Sequence, residues 1–298
     1  MEEAKKIKCA CLIQGDIRNG TEEVLREMAT HFDTIILSTW EDEPYIPGGR
    51  YHLVLSRKPD ISGDFHRNYQ RLGVMRGLEY AEKIGCTHVL KWRTDMLPLR
   101  ISQNKFLELA GRSIPKGFSA RIVLPSFGCI TKSIDSFSRI TDFCAFSSID
   151  MLKLLWSDED FDYCSVRNFS PEIPVELMND PEIVKFYEPE TELYALFKSR
   201  LQKETGRILD HRIIVHEFLS LFEIEELKIC WFARGRSGFR GIINGYWLMA
   251  KWRNVITNIH TTTGYPWSRG IWEILLPFFA FYEVKKQKKR YKRYLLRN

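Results

Sequence analysis

Three charged residues, Lys91, Arg93 and Asp95, occupy alternate positions in the stretch VLKWRTDM (89–96). Alternate side chains of an extended strand point to the same face, so the pattern predicts that these three share one side of a strand tip. A carboxylate there could hold a hard divalent cation, and the two cations could neutralise a diphosphate directly. A structural interpretation is also open, in which an Arg–Asp pair ties the strand tip to a neighbouring helix.

Two other predicted strands also end in polar residues. The apolar run IKCACLI (7–13) is followed by Gln14, Gly15 and Asp16, and DTIILSTW (33–40) ends in Ser38, Thr39 and Trp40. The carboxyl ends of parallel strands lie at one edge of a sheet, where ligands bind in open α/β folds. A sheet end with only a structural role need not be polar.

The elements that position these residues alternate between strand and helix. A third predicted strand is YHLVLS (51–56), and THVLKWR (87–93) is the fourth. One helix is predicted from an N-cap at Thr21 to about His31, and another spans Asn68–Lys83, with Gly85 as its C-terminal cap. This β-α-β-β-α-β order predicts an α/β fold with a mostly parallel sheet flanked by helices.

The middle of the chain continues with mixed elements. We predict a helix over 106–111, a strand over 120–127, a strand that turns into a helix near Ser147 within 141–156, and a helix over 189–206. The acidic stretch 158–183 is expected to form a surface loop. Either a strand or a helix fits 212–222.

Several classes of protein are disfavoured by the motifs. The seven cysteines are scattered with no zinc-knuckle spacing, which indicates buried, reduced thiols. No histidine pair has zinc-site spacing, and GxSxG, Walker and GxGxxG motifs are absent from the sequence. The N-terminus does not resemble a signal peptide, and no apolar run is long enough to span a membrane.

The chain changes character in its last part, and we divide it into a main α/β domain (1–240) and a helical, aromatic and basic C-terminal extension (241–298). Residues 285–298 hold five Lys and three Arg without an acid, so the net charge of +6 less these eight leaves −2 for the rest. Together with the aromatic run before it, this tail predicts an inner-membrane contact through 271–298. A core helix followed by a solvated tail is the alternative, and no nucleic-acid partner is expected.

The triplet Arg93-Thr94-Asp95 resembles in position the Asp-x-Asp motif of sugar-nucleotide transferases of the GT-A fold. In those enzymes the carboxylates hold a divalent ion on the donor diphosphate. The present triplet has one carboxylate and not two. The likeness implies Asp95 as a ligand of Mn²⁺ or Mg²⁺ and leaves metal dependence open.

A wider resemblance covers residues 12 to about 200. The matching pieces are IQGDI, ILSTWE, NYQRLGVMRGLEYA, VLKWRTD, DFCAFSSIDMLKLLW and EPETELY, in this order. The set is similar to the WavE-type lipopolysaccharide synthesis family, whose members are associated with bacterial surface polysaccharides. This resemblance implies a GT-A-like catalytic domain and sugar transfer.

The resemblance also implies roles for single residues. Gln14, Gly15 and Asp16 would line the base and ribose of a donor; a capped turn is the alternative. Ser38, Thr39, Trp40 and Glu41 would form a second wall, with Trp40 stacked on the base or acting as a rim aromatic. The helix start at Asn68, Gln70 and Arg71 would favour phosphate or be solvated.

Two acids are candidates for the catalytic base. Glu190 lies in EPETE at a predicted helix start, and Asp142 precedes the FCAF strand. Either carboxylate could take the proton of an acceptor hydroxyl, and Asp142 could instead bind the acceptor. Three acids in EPETE also suit an ordinary first helical turn.

The sequence therefore predicts a cytoplasmic glycosyltransferase, peripheral on the inner membrane. Its partners would be a nucleotide-sugar donor and a lipid-linked oligosaccharide acceptor of lipopolysaccharide core, O-antigen or capsule synthesis. Two alternatives are open: a nucleotidyl- or phosphosugar transferase on a similar fold, and a non-catalytic partner in a polysaccharide assembly complex.

Overall fold

The computed structural model describes residues 7–18, 20–63, 66–98, 100–125, 140–159, 189–222, 227, 229–232 and 241–242. The predicted loop at 158–183 lies outside these residues except for 158–159. The predicted C-terminal extension lies outside them except for 241–242. The division between residues 240 and 241 therefore stays a prediction.

In the described part of the chain, seven strands form one mixed sheet: β1 (Cys9–Gln14), β2 (Thr34–Trp40), β3 (His52–Ser56), β4 (His88–Arg93), β6 (Ile122–Pro125), β7 (Ala145–Ser148) and β8 (Leu219–Phe222). Across the sheet they lie in the order β3-β2-β1-β4-β7-β6-β8. In this sheet, only β7 is antiparallel to its neighbours, and every other pair of adjacent strands is parallel. The prediction of a mostly parallel α/β sheet is confirmed.

A second, three-stranded sheet joins β5 (Met96–Pro98), β9 (Ile229–Phe232) and β10 (Gly241–Ile242). Strand β9 pairs antiparallel with both neighbours. Because β5 starts three residues after β4 ends, this small sheet begins next to Arg93 and Asp95.

Helices cover both faces of the large sheet. They are α1 (Thr21–Met28), α2 (Arg67–Lys83), α3 (Gln103–Ala110), α4 (Ile149–Trp156), α5 (Pro189–Thr205) and the short α6 (His211–Ile213). One apolar cluster joins α1 and α3 to one face, through residues such as Val24 and Phe106. The other joins α2, α4 and α5 to the opposite face, through residues such as Val74 and Phe197. The predicted flanking helices are confirmed.

Helix α2 lies unusually close to β1. A Cβ added to Gly77 would stand 2.2 Å from Cδ1 of Leu12, a fully buried side chain. A larger residue at this position would push the helix away from the sheet. The helix ends at Lys83, as predicted, and Ile84 is its C-cap residue; Gly85 follows with a φ of +77°, which suits glycine.

The structure resolves one prediction that the sequence left open and corrects another. The segment 212–222 is divided: α6 continues into a π-helical turn (Ile214–Phe218), and β8 follows it to pair with β6. Thr21 is not the N-cap of α1 but its first residue, and Gly20 precedes it. The Thr21 hydroxyl is buried, accepts from the Arg18 amide and donates to the Thr94 carbonyl. It therefore does not cap the amides at the start of α1.

The order of the strands creates a switch point between β1 and β4. From β1 the chain builds β2 and then β3 on one side, and it returns to place β4 on the other side of β1. In open α/β sheets, a crevice outside the carboxyl ends of the strands forms at such a point and is the usual place of a ligand. Among the described residues, no helix combines the length and apolarity needed to cross a membrane.

Candidate functional site

The polar strand ends predicted to meet do meet. In the parallel register, Gln14 of β1 lies beside Arg93 of β4 on one side and Ser38 of β2 on the other. The residues after Gln14 and Arg93 therefore flank the switch point. This geometry confirms that the ends share one edge, and it leaves their function as a prediction.

Asp95 is the centre of an ion-pair network at this edge. It is 1% exposed. Its Oδ1 accepts from Arg93 Nε at 2.9 Å, and its Oδ2 accepts from Arg93 Nη2 at 3.3 Å and from Arg18 Nη1. Arg18 and Arg93 keep 13% and 22% of their side chains exposed. One buried carboxylate thus holds two guanidinium groups that are partly open to solvent.

Lys91 lies beneath the network and has no exposed surface. Its Nζ donates to the backbone carbonyl of Asp142 and stands 5.2 Å from the ring centroid of Trp156. Burial lowers the pKa of Lys91 to about 8, although the carboxylate of Asp142 opposes this shift. Lys91 therefore supports the segment that carries Asp142 from below, and no bound molecule can reach it in this arrangement.

Arg93 connects the strand tip to two other segments. Its Nη1 lies 3.4 Å from Oδ2 of Asp142. Burial alone would lower the pKa of Arg93, but the charges of Asp142, Asp95 and Glu190 raise it well above its ordinary value. The amide of Ile140 donates to the Glu190 carbonyl at 3.1 Å, which fastens the start of α5 to the segment before β7.

The structure therefore brings together five of the predicted residues: Lys91, Arg93, Asp95, Asp142 and Glu190. Arg18 joins them from the loop after β1. The three cations and three acids come from four segments far apart in sequence. Asp142 keeps 11% of its side chain exposed, and the Glu190 side chain is half-buried, so both can meet a bound molecule.

The loops after β1 and β4 are joined by direct contacts. Gly15 has a φ of +132°, and a Cβ on it would lie 3.0 Å from Thr94 Oγ1. The same hydroxyl donates to the Asp16 carbonyl at 2.7 Å. Only glycine combines this backbone angle with this close approach, so Gly15 is needed to bring the two loops together.

The predicted second wall is largely structural. Trp40 is 1% exposed, its Nε1 donates to Asp16 Oδ1 at 2.8 Å, and its ring packs 5.4 Å from that of Tyr69. The predicted stacking of Trp40 on a base does not fit this buried position, and the residue instead orients Asp16. The Ser38 hydroxyl donates to the Gly73 carbonyl, and that of Thr39 to the Gly15 carbonyl.

Asn68 and Arg71 are not part of the charged cluster. Arg71 is buried, and its Nη1 donates to the carbonyls of Trp156 at 3.1 Å and Ser157 at 2.6 Å, at the end of α4. Asn68 is also buried and donates to the Ile61 carbonyl at 2.9 Å. The phosphate role predicted for this helix start does not fit these contacts, which satisfy carbonyls of the protein itself.

A divalent cation at Asp95 does not fit the arrangement that the structure shows. Both carboxylate oxygens accept from guanidinium groups. No group of three His, Cys, Asp or Glu residues able to hold a metal occurs in the described ranges. Dependence on Mn²⁺ or Mg²⁺ stays a prediction.

Two residues that shape this site were not predicted from the sequence. Arg18 follows the GD turn after β1, and its only signal was its nearness to a polar strand end. Glu192, assigned to an ordinary acidic helix start, is 2% exposed and pairs with the equally buried Arg67 at 3.3 Å. This second ion pair ties the start of α5 to the start of α2 and so fixes the helix that carries Glu190.

Comparison with known proteins adds no family to these observations: no protein-family model matches the chain, and no curated protein matches it significantly. The site is therefore interpreted from its own chemistry. Two partly exposed guanidinium groups, preoriented by a buried carboxylate at a switch point, suit a phosphate-bearing ligand.

Proposed function

We propose that the chain is a glycosyltransferase of GT-A-like architecture that uses a nucleotide-sugar donor. The observation that carries the proposal is the position of the Arg18–Asp95–Arg93 network at the switch point between β1 and β4. A nucleotide diphosphate offers two adjacent anionic groups to such a pair of guanidinium groups. The strand order alone supports a nucleotide-type ligand. Asp142 and Glu190, the acids beside the network, support a transfer reaction.

Each residue then has a distinct part in the transfer. Arg18 and Arg93 bind the diphosphate and stabilise the negative charge that it gains as the bond from the anomeric carbon to its oxygen breaks. Asp95 keeps the two guanidinium groups in place. Gln14, Gly15 and Asp16 contact the base and ribose. Glu190 takes the proton of the acceptor hydroxyl as its oxygen bonds to the anomeric carbon, with Asp142 as the second candidate.

The acceptor in this proposal is a lipid-linked glycan of bacterial surface polysaccharide synthesis. The basic and aromatic segment 271–298, which lies outside the described residues, would hold the enzyme on the cytoplasmic side of the inner membrane. An acceptor embedded in the bilayer and a membrane-binding tail are consistent with one another.

Product analysis tests the reaction. The purified chain would be incubated with a panel of nucleotide-sugars and a membrane extract as the source of acceptor. We expect free nucleoside diphosphate and a labelled lipid-linked product. Release of pyrophosphate would support a nucleotidyltransferase instead. Failure of every nucleotide-sugar and nucleoside diphosphate to raise the melting temperature, with or without Mn²⁺ or Mg²⁺, would favour a non-catalytic partner in an assembly complex.

A further inference from the structure

Asp16, in the loop after β1, is held by groups that follow or belong to both neighbouring strands. Its carbonyl accepts from Thr94 Oγ1, after β4, and its Oδ1 accepts from Nε1 of the buried Trp40 of β2 at 2.8 Å. The next amide, that of Ile17, donates to Glu43 Oε1 at 3.1 Å. These contacts fix the backbone and the side chain together, so the direction of the carboxylate is set before any molecule binds.

The Asp16 carboxylate still has acceptor capacity for a bound molecule. Within the described part of the chain, Trp40 Nε1 is the one group that donates to this carboxylate, and it does so at Oδ1. The residue is half-buried, whereas Trp40 beneath it is 1% exposed. An ionised carboxylate can accept about four hydrogen bonds, so an oriented one can take further donors from outside.

The strand ends define a path across the sheet. Gln14, the last residue of β1, lies between Arg93 of β4 and Ser38 of β2 in the parallel register. Two strand spacings separate β4 from β2, which is roughly 10 Å. A molecule that lies across these ends therefore passes from the guanidinium groups at β4, over Gln14, to the end of β2.

Asp16 lies on the same face of the sheet as Arg93. Trp40, which holds Asp16, packs with its ring against α2. Lys91 shares a strand face with Arg93 and contacts α4, and α2 and α4 cover the same face. Asp16 and Arg18 are two positions apart in one loop, which limits their Cα separation to about 7 Å. The carboxylate and the guanidinium groups can therefore contact one molecule.

The charges around Asp16 disfavour a phosphate at its own position. Burial raises the pKa of the Glu43 carboxyl, and the nearby charge of Asp16 adds to this shift, although hydrogen bonds that Glu43 accepts oppose it. Lys58 lies near the same carboxyl groups but pairs with Asp42 at 3.0 Å. Asp16 and Glu43 would repel a further negative group, so a neutral group that donates hydrogen bonds is preferred here.

The group that adjoins the diphosphate in a ribonucleotide has this chemistry. A ribose is neutral and carries two adjacent hydroxyl groups, and a carboxylate can accept from both. With the diphosphate at Arg18 and Arg93, the ribose lies along the path toward β2. A site that hydrogen-bonds a hydroxyl rejects an analogue that lacks it, because the polar group of the protein is then left unpaired.

We infer that Asp16 accepts hydrogen bonds from the 2′ and 3′ hydroxyls of the donor ribose, with Trp40 as the residue that positions it. The site then selects ribonucleoside diphosphates over their 2′-deoxy forms. This inference rests on the proposed function, because the diphosphate at the guanidinium groups is what brings the ribose to Asp16.

Deoxynucleotides test the contact. Binding of ADP, GDP, CDP and UDP to the full chain would be measured by calorimetry, and the tightest of them compared with its 2′-deoxy and 3′-deoxy forms. We expect each deoxy form to bind about tenfold more weakly or worse, the value of a hydrogen bond to a charged group. Equal affinity of the three forms would overturn the inference.

Substitution of Asp16 assigns the preference to one carboxylate. In Asp16→Asn the amide oxygen stays with Trp40 and the NH₂ group replaces the remaining acceptor, so the preference for the ribonucleotide should fall to about twofold or less. Asp42→Asn makes the same charge change at a nearby position that is 66% exposed, and it should keep the preference. Equal loss of preference in both variants would mean that local charge decides it, and would refute the contact.

Trp40→Phe tests the positioning role. The variant keeps an aromatic ring against Tyr69 but removes the indole N–H that holds Asp16. The preference for the ribonucleotide should fall by about twofold to tenfold, the value of one hydrogen bond. The Kd for pyrophosphate should not change, because pyrophosphate has no ribose. A preference that Trp40→Phe leaves intact would show that Trp40 does not position Asp16.

Pyrophosphate also separates this inference from the proposed function. It reports on the guanidinium groups alone, in the parent chain and in each variant. Binding of pyrophosphate and nucleoside diphosphates without a preference for the ribose hydroxyls would reject the inference and leave the proposed function in place. Failure of pyrophosphate and of every nucleoside diphosphate to bind would reject the proposed function, and the inference with it.

Discussion

Arg18 and Asp95 lie 77 positions apart in the chain, yet the Arg18 guanidinium donates to the Asp95 carboxylate across the switch point between β1 and β4. The carboxylate is 1% exposed, whereas 13% of the Arg18 side chain remains exposed. An acid buried beneath two arginines has a different role from an acid that faces a metal. It fixes the geometry of the guanidinium groups that meet the ligand.

Replacement of Asp95 with asparagine tests this role. Asp95→Asn keeps the size of the side chain but removes the charge that holds Arg18 and Arg93. We expect loss of sugar transfer and a decrease of about 1–3 kcal/mol in the free energy of unfolding. Denaturant unfolding and product formation would measure the two effects.

The matched control is Asp60→Asn. Asp60 pairs with Arg57 at 3.5 Å, but both side chains are more than 80% exposed, at 90% and 83%. An exposed pair contributes little, so both stability and activity should stay close to those of the parent chain. Near-normal turnover in Asp95→Asn would contradict the site assignment.

Removal of the Arg18 side chain should weaken donor binding more than it weakens the fold. We expect Arg18→Ala to raise the Kd for a nucleoside diphosphate by about tenfold to a hundredfold, the value of a charged hydrogen bond. Arg26→Ala is the comparison, because Arg26 lies on the exposed side of α1 and pairs only with Glu22 in the described contacts. An unchanged Kd in Arg18→Ala would place the diphosphate elsewhere.

The buried Lys91 predicts a distinctive pH dependence of stability. Its pKa is about 8 in the folded chain, below the ordinary value of 10.5. Between these two values the unfolded chain binds the proton and the folded chain does not, so this group makes the free energy of unfolding rise with pH. Below pH 8 both states hold the proton, and the cost of burying the charge is present in full.

Comparison with Lys91→Met isolates this contribution. The free energy of unfolding of the parent chain, relative to the variant, should increase by about 3 kcal/mol between pH 8 and 10.5. Urea unfolding at pH 7, 8, 9 and 10 would measure the difference. A difference that is constant with pH would mean that Lys91 keeps an ordinary pKa.

The C-terminal tail, which lies outside the described residues, gives a prediction from the sequence alone. Deletion of residues 285–298 removes five Lys and three Arg, and it should move the protein from the membrane fraction to the soluble fraction. Replacement of the same eight cations with glutamine, with the tyrosines and leucines kept, would separate charge from apolar contact. Binding of the parent chain to anionic vesicles should fall at high salt. Unchanged partitioning of the deletion variant would leave the tail without a membrane role.

The sequence by itself determined the order of the first six elements and the edge at which their polar ends meet. Continuous apolar runs such as IKCACLI, separated by helical patterns, predict buried parallel strands, and parallel strands place their carboxyl ends together. Lys91 and Arg93 alternate along β4 as expected, whereas Asp95 lies in the turn after the strand and meets Arg93 through an ion pair. These are local properties, and short segments of sequence encode them.

Only the tertiary structure decided which polar groups bind one another. Trp40 is buried against Asp16, Arg71 donates to carbonyls 85 and 86 positions away, and Arg18 joins Asp95. In the segment 212–222, residues 219–222 form a strand because they pair with the edge of β6, whereas the residues before them remain helical. Such pairings depend on the packing of distant segments, because the free energy of a buried charge is set by the partners that surround it and not by its neighbours in the chain.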